Sequence, residues 1–117
     1  MPFKYPDIKV GAHTYKTTYK TLGDDVYGCC ARDLRRIHLN DNFNMCHSSE
    51  LQVFTHELLH AIEDVYLDAR LTEEQIDQMA EGLLQVLQDN PKLRGIYDGK
   101  KLTGRGRSSR SDTTERG

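Results

Sequence analysis

The amino-acid sequence predicts an α+β fold, a short N-terminal antiparallel sheet followed by two helices. Two observations carry the fold class. Across residues 8–40, β-branched and aromatic side chains alternate with polar ones, the period of about two that marks a half-buried strand. From Leu51 onward, apolar residues recur every third or fourth position, the period of one helix face. Strands grouped ahead of helices, rather than interleaved with them, favour α+β over a parallel βαβ layout.

Each element follows in order. Ile8-Lys9-Val10 alternates, Gly11-Ala12 can turn, and His13–Tyr19 continues the alternation, so a hairpin is expected. Leu22-Gly23-Asp24-Asp25 reads as a turn, and Val26–Cys30 as a short strand or bend. Arg35–Leu39 alternates again with Ile37 and Leu39 on one face, and Asn40-Asp41-Asn42 ends it. Ser49-Glu50-Leu51-Gln52 matches a capping box with Ser49 as N-cap. The stripe Leu51, Phe54, Leu58, Ala61, Ile62, Val65 then sets a helix from about Glu50 to about Tyr66. A second capping box, Thr72-Glu73-Glu74-Gln75, opens another helix with an apolar face of Ile76, Met79, Ala80, Leu83, Leu84 and Leu87. Asn90-Pro91 stops it, because proline cannot continue the helix and biases its predecessor away from αR.

With 117 residues, the chain suits one domain with a modest core, assigned to residues 1–97. Residues 98–117 are expected to be a disordered basic tail. The stretch 99–117 holds six Lys or Arg against Asp112 and Glu115, a charge of +4, which leaves −6 on the first 98 residues. Its apolar content is Leu102 alone, too little to offset the entropy of ordering. The N-terminus lacks the apolar core of a secretory signal, and no apolar run approaches membrane-spanning length, so a cytoplasmic protein without membrane contact is expected. Cys29, Cys30 and Cys46 form an odd set without framework spacing, consistent with free thiols in a reducing compartment.

Function is written most clearly in His56-Glu57-Leu58-Leu59-His60. Two histidines four apart on a helix project from one face, so both imidazoles can reach one Zn²⁺. Glu57 is placed to take a proton from a water at that metal. This is the HExxH pattern of zinc hydrolases, seated on a strongly amphipathic helix between a strand and an acidic helix. Catalytic zinc uses three protein ligands and keeps one position open. The second helix offers Glu73, Glu74, Asp77 and Glu81. Glu73 falls in line with Ile76 and Ala80, and an inward carboxylate is costly unless paired or metal-bound, which ranks Glu73 first and Asp77 second. The six residues of first helix beyond His60 pull the other way. An antiparallel partner must climb a similar rise, favouring Asp77 or Glu81.

His56-Glu57-Leu58-Leu59-His60 followed by Glu73-x-x-x-Asp77-x-x-Ala80 and Leu83-Leu84 resembles the gluzincin metallopeptidases. Within that clan it is similar to the small phage- and mobile-element-borne ImmA/IrrE-like proteins, the minigluzincin type, across residues 8–95. The resemblance implies His56, His60 and Glu73 as Zn²⁺ ligands, Glu57 as general base and Asp77 as support for a ligand histidine. It also implies a phage or prophage origin and a protein or peptide substrate. The spacer from His60 to Glu73 is shorter than in larger members.

The strand Arg35–Leu39 is expected to form the sheet edge that aligns an extended substrate by backbone pairing. No oxyanion donor is assigned: Tyr97, His38 and His47 can donate a hydrogen bond, but each reads as a surface residue. Cys29-Cys30 and Cys46-His47 read as small buried or loop residues rather than a second metal site, since no CxxC accompanies them. A Cys thiolate closing the open zinc position is the sharper alternative. The basic tail lacks aromatic residues for stacking, so nucleic acid is not an expected partner beyond a weak contact through that tail. Against the peptidase stands a zinc-stabilised binding module of the same fold with little or no catalysis.

Overall fold

The computed structural model describes residues 4–41 and 45–98; the expected tail lies outside them, apart from Asp98. The chain divides into two units, residues 1–84 and 85–117. The first carries strands β1 (Ile8–Val10), β2 (His13–Lys20), β3 (Gly28–Ala31) and β4 (Arg36–Asn40), then helix α1 (His47–Tyr66) and most of α2 (Glu73–Asp89). In the second, α2 ends at Asp89 before Pro91, and a single turn of helix, α3 (Leu93–Ile96), follows. The class is therefore α+β. Among the described residues no helix is long and apolar enough to cross a membrane.

The expected hairpin is present. Gly11 takes a left-handed φ of 62°, which lets β1 turn directly into β2 with Val10 opposite His13. The remainder of the sheet departs from the sequence reading. It is mixed rather than antiparallel, in the order β1-β2-β4-β3, and β4 runs parallel to β2 and antiparallel to β3. So β4 is an inner strand, not the expected edge. Ile37, His38, Leu39 and Asn40 are all buried, so both faces of this strand are covered. Alternation reports which side chains share a face but carries nothing about strand order. The edges are β1 and β3, and the small residues of β3, Gly28, Cys29, Cys30 and Ala31, complete the sheet beyond β4.

Asn40 ties the β3 edge in place. Its amide nitrogen donates to the carbonyls of Gly23 (3.0 Å) and Val26 (2.6 Å), while its backbone N–H donates to Tyr27 O at 2.9 Å. The loop leading into β3 is thereby held from beneath by an inner strand.

One sheet face packs on α1. Tyr5, Ile37, Leu39 and Phe54 form one buried cluster, and Val10, Tyr15 and Ala61 a second. Burying each large member contributes about 1.5–3 kcal/mol. Tyr5 stacks on Phe54 at 4.3 Å, and the Tyr5 and Tyr19 hydroxyls both donate to Glu50 Oε1 (3.1 and 2.8 Å), pinning the first turns of α1 to the sheet. A third cluster, Leu59, Ile76 and Ala80, holds α2 against α1. Of the apolar face expected on α2, only Ile76 and Ala80 are buried; Met79 and Leu83 are 49% and 42% exposed.

Both helix starts were anticipated, one of them imperfectly. Thr72 and Gln75 form the reciprocal capping box, Gln75 N–H to Thr72 Oγ1 at 3.0 Å and Thr72 N–H to Gln75 Oε1 at 2.9 Å. The first helix begins at His47, before the expected Ser49 cap, with Cys46 as the extended cap residue and Glu50 N–H bonded to Cys46 O at 3.0 Å. The run Cys46-His47-Ser48-Ser49 offers several short polar side chains for one cap. Here Cys46 Sγ meets the hydroxyls of Ser48 (3.3 Å) and Ser49 (3.4 Å), which leaves Ser49 inside the first turn.

Candidate metal centre

Helix α1 presents His56 and His60 one turn apart, with ring centroids 4.9 Å from each other. Both Nε2 atoms converge on one carboxylate. His56 Nε2 lies 3.0 Å from Glu73 Oε1, and His60 Nε2 lies 2.8 Å from Glu73 Oε2. Among the described residues, His56, His60 and Glu73 are the group able to hold a metal ion, with one ligand atom from each lying within 4.8 Å of the others. Tetrahedral bonds of the usual length place ligand atoms about 3.4 Å apart. The two Glu73–imidazole separations therefore need only a small expansion, and two imidazoles with one carboxylate suit a divalent transition ion. The residues present fit the group.

How Glu73 reaches this position answers the geometric conflict in the sequence. Helix α1 does continue to Tyr66, yet α2 has no climb to make, because the connection makes it first. Asp68 and Ala69 take left-handed φ angles of 53° and 55°. The Leu67 and Ala69 N–H groups both return to Glu63 O, at 2.9 and 3.1 Å. By Leu71 the chain is level with Glu63 again, since Leu71 N–H donates to Glu63 Oε2 at 2.6 Å. Two residues later the first residue of α2 leans over the histidines. Glu73 is not an inward-pointing carboxylate, as the ranking by burial supposed; its side chain is 76% exposed. Asp77 and Glu81 are not in the ligand group, although both lie farther along the same helix.

The outer nitrogens of both imidazoles also face carboxylates. His56 Nδ1 lies 3.5 Å from Asp77 Oδ1, so Asp77 stands behind a histidine of the cluster rather than within it. His60 Nδ1 lies 3.1 Å from Glu63 Oε1. Sequence reasoning missed Glu63. It is 2% exposed, and one oxygen faces His60 while the other holds the α1–α2 connection; Arg32 approaches at 3.6 Å. The available signal was spacing, since Glu63 lies three residues after His60 on the same helix face. A carboxylate on the far nitrogen fixes the ring tautomer and presents Nε2 as the metal-binding atom.

Glu57 is buried beside the cluster, 7% exposed. Burial pushes its carboxyl up from the ordinary range, the two imidazoles oppose this, and Glu73 adds to it. Gly28, at the start of edge strand β3, is the second residue that sequence reasoning passed over. A Cβ there would lie 2.8 Å from Val53 Cγ1, 3.1 Å from His38 O and 3.4 Å from Glu57 Cγ. Glycine allows β3 to approach α1 closely alongside Glu57. A cleft of about 650 Å³ opens here, lined among others by Val26, Tyr27, Gly28, Val53, His56 and Glu57.

The remaining expectations resolve as follows. His38 lies on the inner strand with its side chain on the sheet face away from α1, against Thr18 Oγ1 at 3.0 Å, so it does not face the cluster. His47 is the first residue of α1, and Tyr97 is 76% exposed in the second unit. Cys29 and Cys30 line a smaller hollow with Glu57, His60 and Glu73, but neither belongs to the ligand group. Burial pushes both thiols up, Cys30 to about 11, which disfavours a thiolate there. All three cysteines are free. The hydroxyls of Ser48 and Ser49 lower the exposed Cys46 thiol to about 7. No family model, curated protein or solved structure matches this chain.

Proposed function

We propose that this chain is a cytoplasmic zinc-dependent peptidase of the small gluzincin type. The observation that carries the reading is the convergence of His56 and His60 on Glu73 beside the buried Glu57. The phage or prophage origin and the ImmA/IrrE-like affiliation rest on the sequence resemblance alone. Zinc is the metal of choice because two imidazoles and one carboxylate make three ligands and leave a position free. When bound, zinc supplies Lewis acidity and brings the pKa of an attacking water towards 7.

The chain's own residues would divide the work as follows. His56, His60 and Glu73 hold the ion, with Asp77 and Glu63 fixing the two rings from behind. Glu57 accepts the proton of the attacking water and returns it to the leaving amine. Its upward shift suits this double duty, because a base that binds its proton more firmly also serves as the acid that delivers it. The edge strand β3, rather than β4, offers its unpaired backbone side to an extended peptide lying across the cleft.

The second reading, a zinc-stabilised binding module, has no need of a carboxylate at Glu57. Glu57→Gln separates the two. The peptidase reading expects zinc content to be retained and hydrolysis of a mixed peptide library to fall by at least about a hundredfold. Retained turnover in that variant, or its absence in the zinc-loaded parent, would overturn it.

A further inference from the structure

Charge in the first unit is sorted by element. The strands carry Lys9, Lys16, Lys20 and Arg36 and not one Asp or Glu. Within this unit, helices α1 and α2 carry four carboxylates each and not one Lys or Arg. The register then collects the cations on one surface. Lys16 is opposite Arg36, and Thr18 is opposite His38, which is opposite Cys29. Lys20 is opposite Asn40 on the same side, and Lys9 joins through its pairing with Thr14. This is the face turned away from α1, since Val10, Tyr15, Ile37 and Leu39 point into the core. Lys9, Lys16 and Lys20 are exposed and Arg36 is half-buried, while His38 and Asn40 between them are buried.

The arrangement is unfavourable in the isolated domain. Like charges directly opposite across two strands destabilise a sheet. Lys16 has a partial remedy in Asp7, at 3.5 Å, but both side chains are more than half exposed and such a pair is weak. Among the described residues, Lys9, Lys20 and Arg36 have no carboxylate within ion-pairing distance. Lys20 and Arg36 instead both bear on the His38 imidazole between them. A chain whose first 98 residues total −6 has many carboxylates to place, and none stands on these strands.

We propose that this cationic sheet face binds the phosphate backbone of nucleic acid without selecting bases. Charge complementarity identifies a polyanion, and the rest of the surface identifies which kind. A protein partner is held by buried aromatic or large apolar anchors. The face offers cations, the Thr14 and Thr18 hydroxyls and small residues, but no such anchor, for Tyr15 and Tyr19 alternate to the other side. Phosphate binding needs only cations and hydrogen-bond donors. The same lack of aromatic side chains removes base stacking. The site is independent of the metal cluster and of the peptidase reading.

The test is fluorescence anisotropy of the full chain with a labelled random-sequence DNA duplex at 50 and 200 mM salt. The parent is compared with a Lys16→Gln, Lys20→Gln, Arg36→Gln variant and with a variant carrying Gln at Lys100, Lys101, Arg105 and Arg107. Three lost phosphate contacts should flatten the log–log salt slope by about 2.7, so that the parent loses about 40-fold more affinity than the sheet variant across that salt range. A Lys9→Gln, Lys20→Gln pair, both at exposed positions, should flatten it by about 1.8 and covers the case of a misfolded triple variant. An unchanged slope in both sheet variants, or loss of binding in the tail variant alone, overturns the proposal. So does absence of binding to the parent, or competition by polyglutamate as effective as that by unlabelled DNA, which would mark an acidic protein as the partner. Glu57→Gln should bind as the parent does.

Discussion

Glu63→Gln is the sharpest single perturbation of the candidate centre, because it conserves shape and removes one capability. The Glu63 carboxylate accepts from two N–H groups at once, His60 Nδ1 at 3.1 Å and Leu71 N at 2.6 Å. An amide has one oxygen. If that oxygen stays on Leu71, the amide NH₂ faces His60 and drives the imidazole to the tautomer with its proton on Nε2, the atom that should bind metal. If the oxygen faces His60 instead, the Leu71 N–H meets an NH₂, and a buried unpaired donor costs about 1–3 kcal/mol. That loss loosens the turn that delivers Glu73. Both orientations therefore weaken the same site. Loss of a carboxylate behind a ligand histidine lowers metal affinity about 10–100-fold, or about 1.4–2.8 kcal/mol. Competition for zinc against a chromophoric chelator at pH 7.5 measures it directly. Asp77→Asn serves as the internal comparison. Its contact to His56 is longer, 3.5 Å, and its side chain is 63% exposed, so its effect should be the smaller of the two. Parental zinc affinity in a folded Glu63→Gln, or a larger loss in Asp77→Asn, would refute the reasoning.

Two further outcomes follow from the sheet. Gly28→Ala forces a Cβ to within 2.8 Å of Val53 Cγ1 and 3.1 Å of the His38 carbonyl, so urea denaturation should register a loss of about 1–3 kcal/mol; an unchanged midpoint would mean that β3 is not pressed against α1 there. The His38 imidazole is held below its ordinary value by burial, with Lys20 and Arg36 adding to the effect. The folded state therefore prefers neutral His38: its contribution is complete above about pH 6.5 and is lost as pH falls through the depressed folded value. Between pH 7.5 and 5, the stability of His38→Gln should fall less steeply than that of the parent, by up to about 1.4 kcal/mol per pH unit, and parallel curves would remove His38 as the cause.

The most legible parts of the chain were those fixed by neighbours in sequence. The β1–β2 hairpin follows from alternation around Gly11, and the start of α2 from the reciprocal Thr72–Gln75 bonds. The facing of His56 and His60 follows from helical spacing. Each depends on contacts within about four residues, the range over which backbone geometry dictates which side chains meet. The α1 start was less legible because Cys46, Ser48 and Ser49 compete for one cap.

What required the tertiary structure was every relation between distant segments. The sequence ranked Glu73 first for a burial that does not exist; two left-handed residues at Asp68 and Ala69, anchored on Glu63, decide that α2 begins over the histidines. Alternation placed Ile37 and Leu39 on one face but could not reveal that β4 inserts between β2 and β3, which makes Gly28–Ala31 a free edge. The cations of β1, β2 and β4 are scattered in sequence and gather only through strand register. The sequence alone determined the α+β class, the histidine pair and Glu57, because these follow from local periodicity. Strand order, the route of the α1–α2 connection and the two surfaces that result are long-range pairings, and local periodicity does not encode them.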